Sequence, residues 1–380
     1  MKNYGVIFMA LTLVLCRAGY GEAFDRGFSK DEAGQMLDLC INLNGDGMAP
    51  HEIAHDTTTP ADWDMLYDSD PNHGAGSDKD SGFGPYHNRW KLWKNKAKTN
   101  VYAIVVRGTI LDVNSIKQDV IATSMDAINT TVVGNVAHSK RGVTFQLAET
   151  KGAEVHTGFC FGVAVLAFDK DRGILNKVKE LVPEESEIYI TGHSQGAAIA
   201  TLVHSLLYYA IRDDEFGMGK TKYNTKSYVF AQPKPGNWQY AMDFAQRIGN
   251  KGMAYTINNT YDVVPQVPLS IQLVSETASP FAKNSLIPGY LVRTLAGVRL
   301  TASNFSSRLF TTLDQVARGF DPAYCSTDDS LKTSGGTSLD YMPVGNVLAV
   351  KSEHGDAALP QNDLLREHHL GLYKKLLNQL

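Results

Sequence analysis

The chain has 380 residues, a formal net charge of −4 at pH 7 and a hydrophobic content of 43 %. This composition is ordinary for a folded protein with a sizeable core, and the length allows one large α/β domain or two smaller ones. The small negative charge gives no reason to expect nucleic acid as a partner and no attraction to anionic membranes. The sequence shows neither an internal repeat nor a domain linker. We therefore predict a single domain over residues 24–380.

The amino-terminal segment resembles a secretory signal peptide. Lys2 precedes an apolar run over residues 6–15, and small residues follow up to Ala23. The run is too short to span a membrane, and no later stretch is apolar enough to do so. We predict a signal peptide over residues 1–23 and a secreted or periplasmic protein. The remaining chain has an odd number of cysteines, which leaves at least one free thiol and the pairing open: Cys40, Cys160 and Cys325.

The first half of the chain mixes helices with an early hairpin. Ser29 and Glu32 form a capping box, which predicts the start of a helix. Residues 68–85 are rich in Asp, Gly, Ser and Pro and predict a loop. The predicted elements are a helix at 30–43, hairpin strands at 89–94 and 100–106, a helix from Val155 to Phe168 and a helix at 172–182.

The second half alternates strands with helices. The predicted elements are strands at 188–191, 227–231, 253–257 and 344–350, helices at 197–207 and 238–248, and a closing amphipathic helix or turn at 363–380. This alternation predicts an α/β fold with a mostly parallel central sheet flanked by helices. Residues 269–340 lack this alternation of strands and helices, and we predict that they form an insertion before the last strand.

The stretch 187–201 is the most informative part of the sequence. Its centre, GHSQG at 192–196, fits the pattern G-x-S-x-G between a predicted strand and a predicted helix. The turn at Ser194 is too tight for side chains at the flanking positions, which explains both glycines. Such a turn presents the serine hydroxyl and aims the backbone N–H of Gln195 at a developing oxyanion. The alternative is that Ser194 only caps the helix.

A second motif points to different chemistry. Residues 51–55 read HEIAH, which fits the H-E-x-x-H pattern of zinc proteases. His51 and His55 would share one helix face, with Glu52 as general base. However, Pro50 and Pro60 leave little room for a helix, and no third ligand is evident downstream. A polar surface turn is the simpler interpretation.

A serine nucleophile needs a base to take its proton and a carboxylate to orient that base. After a G-x-S-x-G turn the acid usually comes next in the chain and the histidine last. Asp262 is the candidate acid because it ends a strand and precedes a turn. The order alone leaves three candidate bases: His354, His368 and His369.

Five motifs in order resemble those of the class 3 lipase family, a fungal-lipase-like branch of the α/β-hydrolases. They are VVRGT at 105–109, HTGF at 156–159, GHSQG at 192–196, FAQPKPGN at 230–237 and DVVP at 262–265. Ala231 stands where the family usually has Gly. The resemblance covers residues 86–270, resumes at 341–373, and implies an α/β-hydrolase fold.

The resemblance also implies the roles of individual residues. The family's base often lies in H-x-(apolar)-x-x-Tyr, and residues 368–373 fit when His368 is the base. A lid is expected at about 112–125, with a plain packed helix as the alternative for these residues, and neither a metal nor a cofactor is implied. The other implied site residues are the nucleophile Ser194, the acid Asp262, and the oxyanion-hole residues Thr109 and Gln195.

The sequence thus predicts a secreted serine hydrolase of lipid esters. A triacylglycerol lipase acting at a membrane or lipid-droplet interface is the first hypothesis, with a phospholipase A1 or another carboxylesterase as the alternative. A non-catalytic lipase-like interaction protein and a zinc hydrolase using His51 and His55 represent other classes. Acyl-chain length, head group and oligomeric state are not predictable from the sequence.

Overall fold

The structure is a computed structural model that describes residues 24–44, 60–70, 82–83, 86–108, 124–132, 143–268, 270, 336, 338–352 and 365–380. Several sequence predictions lie outside the described residues. These are the signal peptide, the HEIAH motif, Thr109, nearly all of the expected lid, nearly all of the insertion, Cys325 and His354. No helix in the described ranges is long and apolar enough to cross a membrane.

The described chain contains thirteen strands and six α-helices. The strands are β1 (Trp63–Asp68), β2 (Trp90–Asn95), β3 (Val101–Val106), β4 (Ser124–Asp126), β5 (Thr130–Val132), β6 (Val143–Phe145), β7 (Glu154–His156), β8 (Glu187–His193), β9 (Asn224–Phe230), β10 (Gly236–Asn237), β11 (Ala254–Asn259), β12 (Tyr341–Met342) and β13 (Asn346–Val350). The helices are α1 (Lys30–Asn44), α2 (Thr157–Phe168), α3 (Ile174–Leu181), α4 (Gln195–Arg212), α5 (Trp238–Arg247) and α6 (Leu370–Leu376).

Seven strands form a central sheet in the order β1-β2-β3-β8-β9-β11-β13. The first three are antiparallel neighbours, and the five from β3 to β13 run parallel to one another. The predicted hairpin and the predicted mostly parallel sheet are confirmed. Because β3, β8, β11 and β13 run in one direction, the residues that follow them meet at one edge of the sheet.

Helices cover both faces of this sheet. Alternate residues of β8 serve the two faces: Ile188 and Ile190 belong to one hydrophobic core, and Tyr189 belongs to the other. The first core takes the buried faces of α2, α3, α4 and α5, and the second takes those of α1 and α6. A parallel sheet buried on both faces, with a strand-turn-helix at its centre, confirms the predicted α/β-hydrolase fold.

The predicted helix at Val155–Phe168 begins too early. Val155 and His156 belong to β7, which pairs with β4 and β10 in a second sheet of order β12-β10-β7-β4. The helix begins at Thr157 because Nδ1 of His156 accepts the backbone N–H of Phe159 at 3.3 Å and so caps it.

Two predicted bounds near the carboxyl end also change. The last strand begins at Asn346 rather than 344, since Gly345 has a φ of 97° that interrupts extended backbone. The closing helix is α6 alone, and it is flanked by the 3-10 turns Arg366–His368 and Leu377–Gln379.

Candidate active site

Ser194 lies between the end of β8 and the start of α4, at the tight turn that the sequence predicts. A Cβ added at Gly192 would lie 2.3 Å from the backbone oxygen of Gly196, and one added at Gly196 would lie 2.4 Å from that of Val106. No real Cβ tolerates such distances, so both glycines are required by backbone approach. The second contact also brings the end of β3 against the turn.

Ser194 occupies the amino-terminal cap position of α4, but its side chain does not cap the helix. A capping serine has extended backbone, and its side-chain oxygen accepts an N–H of the first helical turn. Ser194 instead has φ 60° and ψ −134°, and its side chain makes no capping hydrogen bond. A non-glycine residue in such a conformation costs about 1–3 kcal/mol, a cost typical of functional positions.

Asp262 follows β11 by three residues and is buried. Its Oδ1 accepts the backbone N–H of Val264 at 2.9 Å. Its Oδ2 accepts two hydrogen bonds of 2.8 Å, from Nδ1 of His368 and from the hydroxyl of Tyr373. Three donors to one buried carboxylate fix its orientation.

His368 is the histidine that faces this carboxylate. It lies in the 3-10 turn Arg366–His368, is buried, and directs Nδ1 at Asp262, whereas His369 occupies the amino-terminal cap position of α6. Because Nδ1 carries the proton donated to Asp262, Nε2 is the ring nitrogen that can accept another proton. This is the orientation that a general base needs.

His193 connects the serine turn to the base. Its ring centroid is 4.4 Å from that of His368, and its Nε2 lies 2.8 Å from the backbone oxygen of His368. A carbonyl oxygen only accepts, so Nε2 of His193 is the donor. Burial lowers the pKa of His193 well below its usual value, and the neighbouring His368 lowers it further. His193 is therefore a neutral anchor for the loop that carries the base.

The sequence did not single out Tyr373 and Asn259, which bond each other, Asp262 and the segment that precedes His368. The Tyr373 hydroxyl accepts the backbone N–H of Asn259 at 2.9 Å while it donates to Asp262. Burial raises the pKa of Tyr373 well above its usual value, and the charge of Asp262 raises it further, so the group remains a hydroxyl donor. The only sequence signal for Tyr373 was its place at the end of the family's histidine motif.

The side chain of Asn259 ties the base loop to the end of β11. Its Nδ2 donates to the backbone oxygen of Glu367 at 3.0 Å, and its Oδ1 accepts the backbone N–H of Ser352 at 3.2 Å. Glu367 directly precedes His368. The bond therefore restrains the backbone that carries the base.

The oxyanion side of the site is described only in part. Gln195 is buried and begins α4, so its backbone N–H lies at a helix amino terminus next to Ser194. Gly108, directly before Thr109 in the chain, packs against Ser194: a Cβ added at Gly108 would lie 3.3 Å from the Cβ of Ser194. Thr109 itself lies outside the described residues.

Other reactive groups do not form a competing site in the described part of the chain. No cluster of three or more metal-binding side chains occurs there. Cys40 and Cys160 are free and buried. Burial raises the pKa of the Cys40 thiol to about 12 and raises that of Cys160 as well, so neither is a ready nucleophile.

Part of the chain matches a known protein family. Residues 103–271 match the family Lipase (class 3). This part of the chain is similar to class 3 lipases. The matched segment contains Ser194 and Asp262 but ends before His368.

Two curated relatives illustrate how far the similarity extends. A secreted mono- and diacylglycerol lipase of Malassezia globosa is 34 % identical over 121 residues, which are 32 % of this chain and 36 % of the relative. Secreted mono- and diacylglycerol lipase A of Penicillium cyclopium is 33 % identical over 98 residues, which are 25 % of this chain and 28 % of the relative. The chain thus spans about a third of the length of these relatives.

Solved structures are similar at lower identity. A crystal structure of M37 lipase is 14 % identical, with 83 % of this chain and 77 % of that chain covered and a TM-score of 0.43. Lip2 lipase of Yarrowia lipolytica is 15 % identical, with 65 % and 77 % covered and a TM-score of 0.41. The fold assignment rests on the strand order and the serine turn of the chain itself.

Proposed function

We propose that this protein is a class 3 lipase, a secreted serine hydrolase that cleaves carboxylic esters of lipids through an acyl-enzyme. The observation that carries the proposal is the pairing of Asp262 with Nδ1 of His368 at 2.8 Å, beside the strained turn of Ser194. A carboxylate, an oriented imidazole and an uncapped serine at one sheet edge are the three groups that acyl transfer requires.

The first half-reaction forms the acyl-enzyme. Oγ of Ser194 attacks the ester carbonyl carbon while Nε2 of His368 takes the hydroxyl proton, and Asp262 stabilises the imidazolium that forms. The backbone N–H of Gln195, together with Thr109, donates to the oxyanion. The C–O bond to the alcohol then breaks, and the leaving alkoxide receives the proton from His368.

The second half-reaction uses water. His368 takes a proton from a water molecule, whose oxygen attacks the acyl carbon attached to Ser194. The bond to Ser194 breaks, the fatty acid leaves, and the serine oxygen regains its proton from His368. No metal or redox group takes part in this sequence of steps.

The substrate class comes from the relatives. Both curated relatives are named as mono- and diacylglycerol lipases, so partial glycerides are substrates to test beside the triacylglycerols that we predicted first. Phosphatidylcholine tests the phospholipase A1 alternative. Both relatives are also named as secreted, which supports a signal peptide over residues 1–23 with cleavage after Ala23.

The test compares wild type with Ser194→Ala on mono-, di- and triacylglycerol emulsions of one acyl chain and on phosphatidylcholine. We expect wild-type hydrolysis to fall at least about 10³-fold in Ser194→Ala and to persist in EDTA. Activity retained in Ser194→Ala, or abolished by EDTA, would support the zinc hydrolase of His51 and His55 instead. A folded wild type inactive on every ester would support the non-catalytic interaction protein.

A further inference from the structure

Helix α1 lies outside the segment that matches the family, yet its carboxyl end approaches the nucleophile turn. The helix packs against β3, β8 and β9 on the face that it shares with α6. Near its end, Sγ of Cys40 lies 3.3 Å from Oγ1 of Thr191, three residues before Ser194. The last turn of α1 is therefore fixed relative to the strand that carries the nucleophile.

The last residue of this helix, Asn44, bonds the backbone at the end of β3. Its Oδ1 accepts the backbone N–H of Gly108 at 2.8 Å, and its Nδ2 donates to the backbone oxygen of Cys40 at 2.7 Å. The two contacts fix the amide orientation. If Oδ1 and Nδ2 were exchanged, the amide NH₂ would face the N–H of Gly108 and the amide oxygen would face the backbone oxygen of Cys40.

Gly108 needs this partner because it lies beyond the β3–β8 ladder. The parallel register ends at the pair Val106 and Gly192, two residues before Gly108. A Cβ added at Gly108 would lie 2.7 Å from the backbone oxygen of His193 and 3.3 Å from Cβ of Ser194. The peptide that Asn44 holds is therefore packed directly against the nucleophile.

We propose that Asn44 is a positioning residue for the oxyanion side of the site, because it holds the Gly108 backbone against Ser194 through a side-chain hydrogen bond. The inference rests on the proposed serine hydrolase function. Gly108 packs against Ser194, which directly precedes the oxyanion-hole candidate Gln195, so a shift of Gly108 would disturb both residues. Oxyanion stabilisation depends on donor placement within a few tenths of an ångström.

The experiment replaces Asn44 and separates kcat from KM on a soluble p-nitrophenyl ester. Asn44→Leu removes the acceptor, and we expect kcat to fall about 10- to 100-fold with KM nearly unchanged, as for loss of an interaction made mainly in the transition state. Asn44→Asp keeps an oxygen facing Gly108 but sets its other oxygen against the backbone oxygen of Cys40, so we expect it to restore only part of that loss. Asn44→Ala replaces Asn44→Leu if the latter does not fold.

The matched control is Leu43→Ala, which opens a cavity in the same helical turn without touching the hydrogen bond. We expect it to lower the melting temperature while kcat per titrated active site stays within about twofold. As a second readout, the rate at which a fluorophosphonate modifies Ser194 should fall in Asn44→Leu by the same factor as kcat/KM.

The possible outcomes separate the inference from the proposed function. An unchanged kcat in folded Asn44→Leu overturns the positioning role. Equal losses of kcat in Asn44→Leu and Leu43→Ala also overturn the positioning role, because a general destabilisation of α1 then explains both. If Ser194→Ala keeps its activity, the proposed function itself has failed, whatever the Asn44 variants do.

Discussion

The buried carboxylate of Glu187 makes stability depend on pH. Glu187 is the first residue of β8 and is 4 % exposed. Burial raises its pKa from 4.5 to about 7, although the backbone N–H of Phe24 and the charge of Lys98 lower it in part. The charges of Glu32 and Asp25 raise it further. The folded chain therefore retains a proton at Glu187 that the unfolded chain releases near pH 4.5.

The sign and size of the effect follow from proton linkage. Between about pH 4.5 and pH 7 the folded state binds more protons than the unfolded state at Glu187, so the free energy of unfolding falls as pH rises. The difference in pKa corresponds to at most about 3 kcal/mol. Screening by solvent at the strand end reduces this to about 1–2 kcal/mol.

Glu187→Gln removes the titrating group while keeping its shape. The assay is urea unfolding of both proteins at pH 5 and at pH 8. Between pH 5 and pH 8 we expect the free energy of unfolding of the variant to rise by about 1–2 kcal/mol relative to that of wild type. Glu184→Gln, at an exposed carboxylate three residues earlier, is the control and should change stability by less than about 0.5 kcal/mol at either pH. If the difference in the free energy of unfolding between wild type and Glu187→Gln is the same at both pH values, the raised pKa of Glu187 is contradicted.

Three further predictions concern other parts of the chain. A chain that begins at Phe24 places an α-ammonium beside the Glu187 carboxylate, because the backbone N–H of Phe24 contacts that group. The positive charge favours the carboxylate, so the change in the free energy of unfolding with pH should become smaller. An unchanged pH dependence would contradict this contact. Tyr373→Phe removes a donor to the acid and leaves a buried N–H unpaired, so kcat should fall about 10-fold and stability by about 1–3 kcal/mol; unchanged kinetics would argue against its positioning role. Gly196→Ala should lower the free energy of unfolding by more than about 3 kcal/mol in thermal unfolding. The control is Gly34→Ala in α1, where the nearest atom outside the helix backbone is 3.8 Å away, and it should raise the free energy of unfolding by about 0.5–1 kcal/mol. Similar effects of the two substitutions would contradict the close approach at the serine turn.

The sequence predicted the parts of the fold that follow from local patterns. The hairpin of β2 and β3, the strand β8 and the helices α1 and α5 each carry enough apolar periodicity to be recognised. The strands of the second sheet have two or three residues each, too few for any period to appear. They form because their partners lie next to them in space, which a local pattern does not report.

The candidate site divides in the same way. The nucleophile turn was predictable because tight backbone packing requires glycines at fixed positions around Ser194. Asn44 and Asn259 form hydrogen bonds to residues 64 and 108 positions away, and no local pattern marks such a contact. Their roles became visible only when the fold brought the partners together.

The substitution at Ala231 shows what a deviation from a family motif can mean. The sequence places Ala where the family usually has Gly, and the structure gives Ala231 a φ of 51°. The left-handed backbone that favours Gly is therefore kept, at a cost of about 1–2 kcal/mol for a residue with a Cβ. Its buried methyl group and its N–H bond to Ile257 at 3.0 Å offset part of that cost.

The most direct test of the proposed function is covalent labelling of the nucleophile. Wild type and the matched variant Ser194→Ala are treated with a fluorophosphonate and digested, and the modified peptide is identified by mass spectrometry. We predict one phosphonyl group per wild-type chain, attached to Ser194, with loss of ester hydrolysis in proportion to labelling. Labelling at another residue, or hydrolysis that survives complete labelling of Ser194, would contradict it.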